Sequence, residues 1–104
     1  MIAAVALAAA ISAAQPGPSF TVFGGTDSCG HWLANPSLDL AMRQWILGFW
    51  SGLNYSKAAG GNVGRGSDAD GVIGEVRLIC TNSPSDNVAT AVLQAYQKLE
   101  RSHR

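Results

Sequence analysis

The chain has 104 residues, which is enough for one domain at most. Seven Lys and Arg balance seven Asp and Glu, so no net charge points to nucleic acid or an acidic membrane surface as a partner.

The first 14 residues have the composition of a secretory signal peptide. The apolar run from Ile2 to Ile11 is shorter than the roughly 20 residues that a membrane-spanning helix needs. Small residues follow it as a cleavage site, Ser12-Ala13-Ala14. We therefore predict a signal peptide over residues 1–14, a periplasmic or secreted protein, and no membrane insertion after cleavage. A buried N-terminal helix is the alternative, because no Lys or Arg precedes the apolar run.

Export decides how the two cysteines, Cys29 and Cys80, are interpreted. In an oxidising compartment an even number of cysteines favours a disulfide. Closing the loop between them would remove about 4 kcal/mol of unfolded-state entropy. We predict the disulfide. Two unpaired buried thiols are the alternative if the chain stays in the cytoplasm.

Residues 15–27 are rich in Pro and Gly and predict a flexible N-terminal segment. Three of its apolar residues are candidate anchors onto the body: Phe20, Val22 and Phe23. A helical domain is expected over residues 28–104. It opens with a short helical turn around Cys29, which Asn35-Pro36 ends.

The stretch from Ser37 to Lys57 carries the clearest helical pattern. Five of its apolar residues recur at three- and four-residue spacing, as one helix face requires: Leu38, Met42, Trp45, Phe49 and Leu53. Ile46, Leu47 and Trp50 widen that face to most of the circumference. We therefore expect a central helix that is enclosed on several sides.

Local signals refine this central helix. Ser37 is the expected N-cap, and Gly48 and Gly52 are expected to let another backbone approach closely. Asn54 and Tyr55 are polar positions in an apolar setting. We interpret them as satisfied structural groups or as a signal for the helix C-terminus, with a contact role as the alternative.

Two more helices follow a glycine-rich loop. The second is expected over Ala69–Thr81, capped by Asp68 or Asp70. The third is expected to start at Ser83, with Pro84 in its first turn. Their inner faces are Val72, Val76 and Ile79 or Cys80, then Val88, Val92, Ala95 or Tyr96, and Leu99. The fold class is therefore all-α: a small three- to four-helix, disulfide-tied bundle.

The glycine loop resembles parts of three ligand-binding motifs and satisfies none of them. Gly64 to Ala69 fits a dinucleotide fingerprint, but no buried strand precedes it. Ser67 stands where a phosphate-binding loop needs Lys. An EF-hand register over the same loop would place Arg77 where a bidentate Glu is required. We predict a solvated loop and no cofactor.

Catalytic and metal-binding patterns are weak. His31 and His103 are the two histidines, and Cys29-x-His31 with the distant Cys80 lacks the ligand spacing of a zinc finger. We predict no catalytic site, no metal site and no enzyme. An enzyme that uses His31 would need an open pocket beside it and a reduced Cys29.

The order of these features resembles the HdeA-type periplasmic acid-stress chaperones, over about Ser28 to Leu99. The resemblance is carried by Cys29-x-x-Trp32-Leu33, by the segment Gly48-Phe49-Trp50-Ser51-Gly52-Leu53-Asn54, and by a later helix that reaches Cys80. It implies an HdeA-like fold and a homodimer that loosens at low pH and binds unfolding client proteins.

Four residues of the central helix are the candidate client or dimer surface: Trp45, Phe49, Trp50 and Leu53. For most of them, burial in the core is the competing interpretation. An aromatic side chain left exposed would mark a partner site. The same exported, disulfide-tied plan occurs in immunity proteins that neutralise secreted bacterial toxins, so an immunity-type inhibitor is the alternative function.

Overall fold

The computed structural model describes residues 21–57 and 61–102. The predicted signal peptide, residues 1–14, lies outside this part of the chain. The described residues form four α-helices: α1 (Cys29–Ala34), α2 (Asp39–Ser56), α3 (Ala69–Asn82) and α4 (Val88–Ser102). A single 3₁₀ turn, Pro36–Leu38, joins α1 to α2. The all-α prediction is confirmed, since the described residues contain no strand and only one isolated bridge, between Ser28 and Asn87.

The disulfide joins Cys29, the first residue of α1, to Cys80 near the end of α3. Their Cα atoms are 4.9 Å apart, and both side chains are fully buried. The predicted pairing is therefore confirmed. It ties the start of the helical domain to the end of α3.

The core consists of one buried face from each helix. Its largest fully buried side chains are Trp32, Ile46, Ile73, Val76, Val88 and Val92. In α4 small alanines complete the face and let the helices pack closely, while Tyr96 fills the far end.

Of the three predicted caps, one is correct and two are wrong. Asp68 accepts a hydrogen bond from the Gly71 amide at 2.8 Å and caps α3. Ser28, which was not predicted as a cap, caps α1 in the same way. Ser37, the predicted cap of α2, lies inside the 3₁₀ turn, and α2 begins without a side-chain cap. The predicted helix start at Ser83 is also wrong, because α4 begins five residues later.

A tertiary contact explains the late start of α4. The carbonyl of Pro84 accepts a hydrogen bond from the Gly30 amide at 2.9 Å, and that of Asp86 accepts one from the Cys29 amide at 2.7 Å. Residues 84–86 therefore form a turn that satisfies the first amides of α1. The Asn87 side chain then accepts from the Thr90 amide, as an N-cap does.

α2 is not enclosed on several sides as expected. Its buried side chains are Met42, Ile46 and Trp50, at four-residue spacing. Nothing lies within 4 Å of where a Cβ would be placed on Gly48 or Gly52. The predicted close approach of a backbone at these glycines is therefore absent from the described residues.

Ion pairs connect the long helices at the surface. Two join α2 to α3, one joins α3 to α4, and one joins the residue after α2 to α4: Arg43–Asp70, Arg77–Asp39, Lys98–Glu75 and Lys57–Glu100. All are partly exposed, so solvent screens them and each contributes little to stability.

Candidate protein-binding groove

An apolar groove lies between residues 21–23 and the second half of α2. Its volume is about 530 Å³. Its lining residues are Thr21, Val22, Phe23, Trp45, Phe49, Gly52, Leu53 and Ser56. None of these described lining residues carries a charge. The groove is therefore chemically suited to apolar side chains and not to an ionic ligand.

Trp45 forms one wall of the groove and holds the preceding segment in place. Its indole Nε1 donates a hydrogen bond to the carbonyl of Phe23 at 2.7 Å. Gly24 and Gly25, with φ of +95° and +70°, lie directly against the indole ring. A Cβ on either glycine would collide with that ring, so the close approach requires glycine at both positions.

The segment is also fastened to the start of α4. The carbonyl of Gly25 accepts from the Ala89 amide, and the carbonyl of Asp27 accepts from the Val88 amide, both at 3.0 Å. Part of the region predicted to be flexible therefore contacts the body through its backbone. We call residues 23–27 the strap.

Two aromatic side chains project into solvent, Phe23 at the groove and Tyr55 on α2 outside the groove lining. Phe23 is 89% exposed and Tyr55 is 93% exposed. The Phe23 side chain is therefore not the anchor that the sequence suggested, because the carbonyl of Phe23 makes the contact instead. An exposed ring on a fixed backbone loses little conformational entropy when a partner covers it.

Three of the four predicted surface residues lie together in this groove. Trp45, Phe49 and Leu53 are half-buried and line it, with the Trp45 and Phe49 ring centroids 5.0 Å apart. The fourth, Trp50, is only 4% exposed and belongs to the core, where it packs against Tyr96. The sequence predicts Phe23 only as an anchor, although its position before Gly24-Gly25 is typical of a turn.

Asn54 is a satisfied structural polar group, as predicted. Its side-chain oxygen accepts from the Val63 amide at 3.1 Å and from the Tyr96 hydroxyl at 2.8 Å. Its side-chain nitrogen donates to the Val63 carbonyl, which also accepts from Trp50 Nε1. One amide thus connects α2, α4 and the loop after residue 60.

Lys57 lies beside this network, with its ammonium 5.6 Å from the centre of the Tyr96 ring. Its hydrogen bond to the Glu100 carboxylate raises the pKa of Lys57 above its ordinary value of 10.5. Burial raises the pKa of Tyr96 above 10.0. The positive charge on Lys57 acts against the second shift and Glu100 adds to it.

His31 does not form a pair with a reactive thiol. It is exposed, and Asn35 contacts both its ring and its carbonyl. Cys29 is bonded to Cys80, so it has no thiolate to offer as a nucleophile. Within residues 21–57 and 61–102, no three His, Cys, Asp or Glu side chains cluster closely enough to hold a metal ion.

No helix in the described ranges is long and apolar enough to cross a bilayer. No protein family, no curated protein and no solved structure matches the chain. The resemblance to HdeA-type proteins therefore rests on the sequence motifs alone and stays a prediction.

Proposed function

We propose that this is an exported protein that binds other proteins through the groove, in an HdeA-like stress-protection or chaperone role. The observation that carries the proposal is the uncharged groove, with the Phe23 ring held in solvent at its rim. Exposed apolar surface of this kind is typical of protein interaction sites. The buried disulfide fits an oxidising compartment.

The charge balance of the chain supports a response to acid. Near neutral pH seven Asp and Glu oppose seven Lys and Arg. Full protonation of the acidic residues would leave seven Lys and Arg and two His as positive charges that repel one another. We expect the helices to pack less tightly at low pH, which widens access to the groove.

An aggregation assay tests the proposal. The protein should keep an unrelated unfolding reporter in solution at about equimolar ratio, near pH 7 or near pH 3. Phe23→Ser should lose most of this protection, because it removes the exposed ring without disturbing the core. Leu78→Ser is the matched control, since Leu78 is a 52% exposed apolar residue on α3, outside the groove.

Two results would contradict the proposal of a chaperone that binds clients through the groove. One is a wild-type protein that protects no reporter at either pH. The other is equal loss of protection in Phe23→Ser and Leu78→Ser, which would mean that the groove is not the binding surface.

An immunity-type inhibitor is the second candidate. The hydrogen bond from Trp45 fixes the backbone of Phe23, and a pre-organised aromatic anchor is typical of tight, specific interfaces. Such an inhibitor would protect no unrelated reporter. Immobilised wild-type protein would instead retain one stoichiometric partner from the producing organism's medium, largely independently of acid, and Phe23→Ser would not.

A further inference from the structure

Trp45 lines a second cavity as well as the groove. This second cavity lies near the start of α2 and has a volume of about 280 Å³. The strap contributes Gly24, Gly25 and Asp27 to its lining, together with Leu38, Ala41, Met42 and the Trp45 indole. The indole is therefore a wall of both cavities, and the strap crosses it where the two glycines contact the ring.

The two cavities lie along one apolar face. The side chains of this face recur at spacings of four, three, four and four residues: Leu38, Met42, Trp45, Phe49 and Leu53. Such spacing places them along one side of a helix. The first two line the second cavity, the last two line the groove, and Trp45 lines both. From Met42 to Leu53 the face is about 17 Å long, and the strap divides it by lying on the indole.

The strap buries no side chain of its own. Phe23 is 89% exposed, the next two residues are glycines, and the two residues after them are exposed. Its carbonyls accept three hydrogen bonds, from Trp45 Nε1 and from the amides of Val88 and Ala89. Water can replace each of these partners, and glycine loses more conformational freedom than any other residue when it is fixed. The strap therefore belongs to the part of the fold with low local stability.

The C-terminal end of the strap, in contrast, is held firmly. Ser28, the next residue, caps α1, and Cys29 forms the disulfide. The strap can therefore swing away about its last residue while the disulfide and the helices stay in place. This movement breaks the hydrogen bonds to the carbonyls of Phe23 and Gly25, and it uncovers the indole.

We propose that the strap is an autoinhibitory cover over Trp45. In its closed position it splits the apolar face into two cavities. When a partner displaces it, the face becomes one continuous site for an apolar segment of another protein. A ligand that prefers the open form shifts the population toward it, and the apparent Kd is the intrinsic Kd divided by the open fraction. The nature of the partner rests on the proposed function, whereas the opening of the strap does not.

Gly25→Ala in the full disulfide-bonded protein tests the cover. The added Cβ would collide with the indole, and a φ of +70° is strained for Ala, so the contact breaks whether the strap or the ring yields. Gly66→Ala is the matched control, because Gly66 is also a loop glycine but has nothing within 4 Å of its Cβ position. The probe is Nile red, a neutral apolar dye. An open state populated at about 10% or less predicts that Gly25→Ala binds the dye about tenfold more tightly than wild type and Gly66→Ala do.

Hydrogen exchange shows where the structure opens. In Gly25→Ala the Ala89 amide should exchange about tenfold faster or more, because it loses the Gly25 carbonyl as its partner. The Cys29 amide should keep its protection through the Asp86 carbonyl. Saturating Nile red should produce the same local change in the wild-type protein, so the test does not depend on how well the variant folds.

Two results would overturn the cover. One is equal Nile red affinity in wild type and Gly25→Ala, and the other is an Ala89 amide that stays protected in dye-saturated wild type. Failure of the proposed function looks different. In that case neither protein keeps the unfolding reporter in solution, although dye binding and hydrogen exchange still report the open strap. Equal dye affinity in proteins that both protect the reporter would remove the cover and leave the proposed function in place.

Discussion

Two clusters hold the helices together, and they do so by different means. The disulfide cluster, around Cys29 and Cys80, combines one covalent bond with two backbone hydrogen bonds from α1 to residues 84–86. The Asn54 cluster, with Val63 and Tyr96, depends mainly on the side chain of one residue. The first cluster has several independent ties, whereas the second keeps only the bond from Trp50 Nε1 to the Val63 carbonyl if the Asn54 amide is removed.

This difference between the two clusters indicates where the structure can open locally. Backbone bonds and a disulfide persist when any one neighbouring side chain changes. Without the Asn54 side chain, only the bond from Trp50 to the Val63 carbonyl and the bond from the Gly61 amide to the Asn54 carbonyl still hold the loop. We therefore expect the loop at Val63 to open locally while the rest of the bundle stays folded. Changes at the two clusters should therefore differ in kind as well as in size.

Removal of the disulfide should have the largest effect on stability. We expect the double variant Cys29→Ala/Cys80→Ala to lose about 2–5 kcal/mol of unfolding free energy, because the unfolded chain is no longer cross-linked. Urea unfolding followed by Trp fluorescence measures the loss. The effect should be global, with amide exchange faster throughout the helices. A loss of protection confined to α1 would contradict the view that this cluster holds the whole bundle.

Asn54→Ala should have a smaller and more local effect. It leaves the Val63 amide and the Tyr96 hydroxyl without their partner, which costs about 1–3 kcal/mol. The Val63 amide should exchange much faster with solvent, while the Cys29 amide keeps its protection through the Asp86 carbonyl. Hydrogen exchange of these two amides is the measurement.

The control for this prediction is Asn82→Ala, at the exposed last residue of α3. It should leave both amides and the unfolding midpoint nearly unchanged. If Asn54→Ala accelerates exchange at Cys29 as much as at Val63, then the two clusters unfold together and the proposed contrast is wrong.

The sequence predicted the helices and the disulfide because both depend on short-range pattern or on composition. It did not predict which side of α2 faces the core. Met42, Ile46 and Trp50 form one apolar face of the helix. Trp45 and Phe49 belong to the neighbouring face. When apolar residues cover most of a helix, periodicity alone cannot choose between neighbouring stripes. In the folded protein the face with Met42, Ile46 and Trp50 packs into the core, and the neighbouring face with Trp45 and Phe49 lines the groove.

Long-range contacts account for the other differences. The strap over Trp45 depends on Gly24 and Gly25, which are distant in sequence from the indole they cover. The capping signal at Ser83 was overridden because the carbonyls of Pro84 and Asp86 bind the amides of α1. Local propensity carries no information about such partners, since they are brought together only by the packed fold.

Alkaline pH should weaken the Asn54 cluster, with the smallest effect of the three. The folded-state pKa of both Tyr96 and Lys57 lies above the ordinary value, so the unfolded chain releases each proton first. The stability that these two groups contribute is complete below about pH 10, and it is lost as the pH rises through their folded-state pKa values. The urea midpoint should therefore fall as the pH rises above about 10. Tyr96→Phe, which cannot ionise, should start less stable, because the bond to Asn54 is gone, but should fall less steeply. An equal slope in both proteins would show that ionisation of Tyr96 does not loosen this cluster, and that the alkaline loss arises elsewhere.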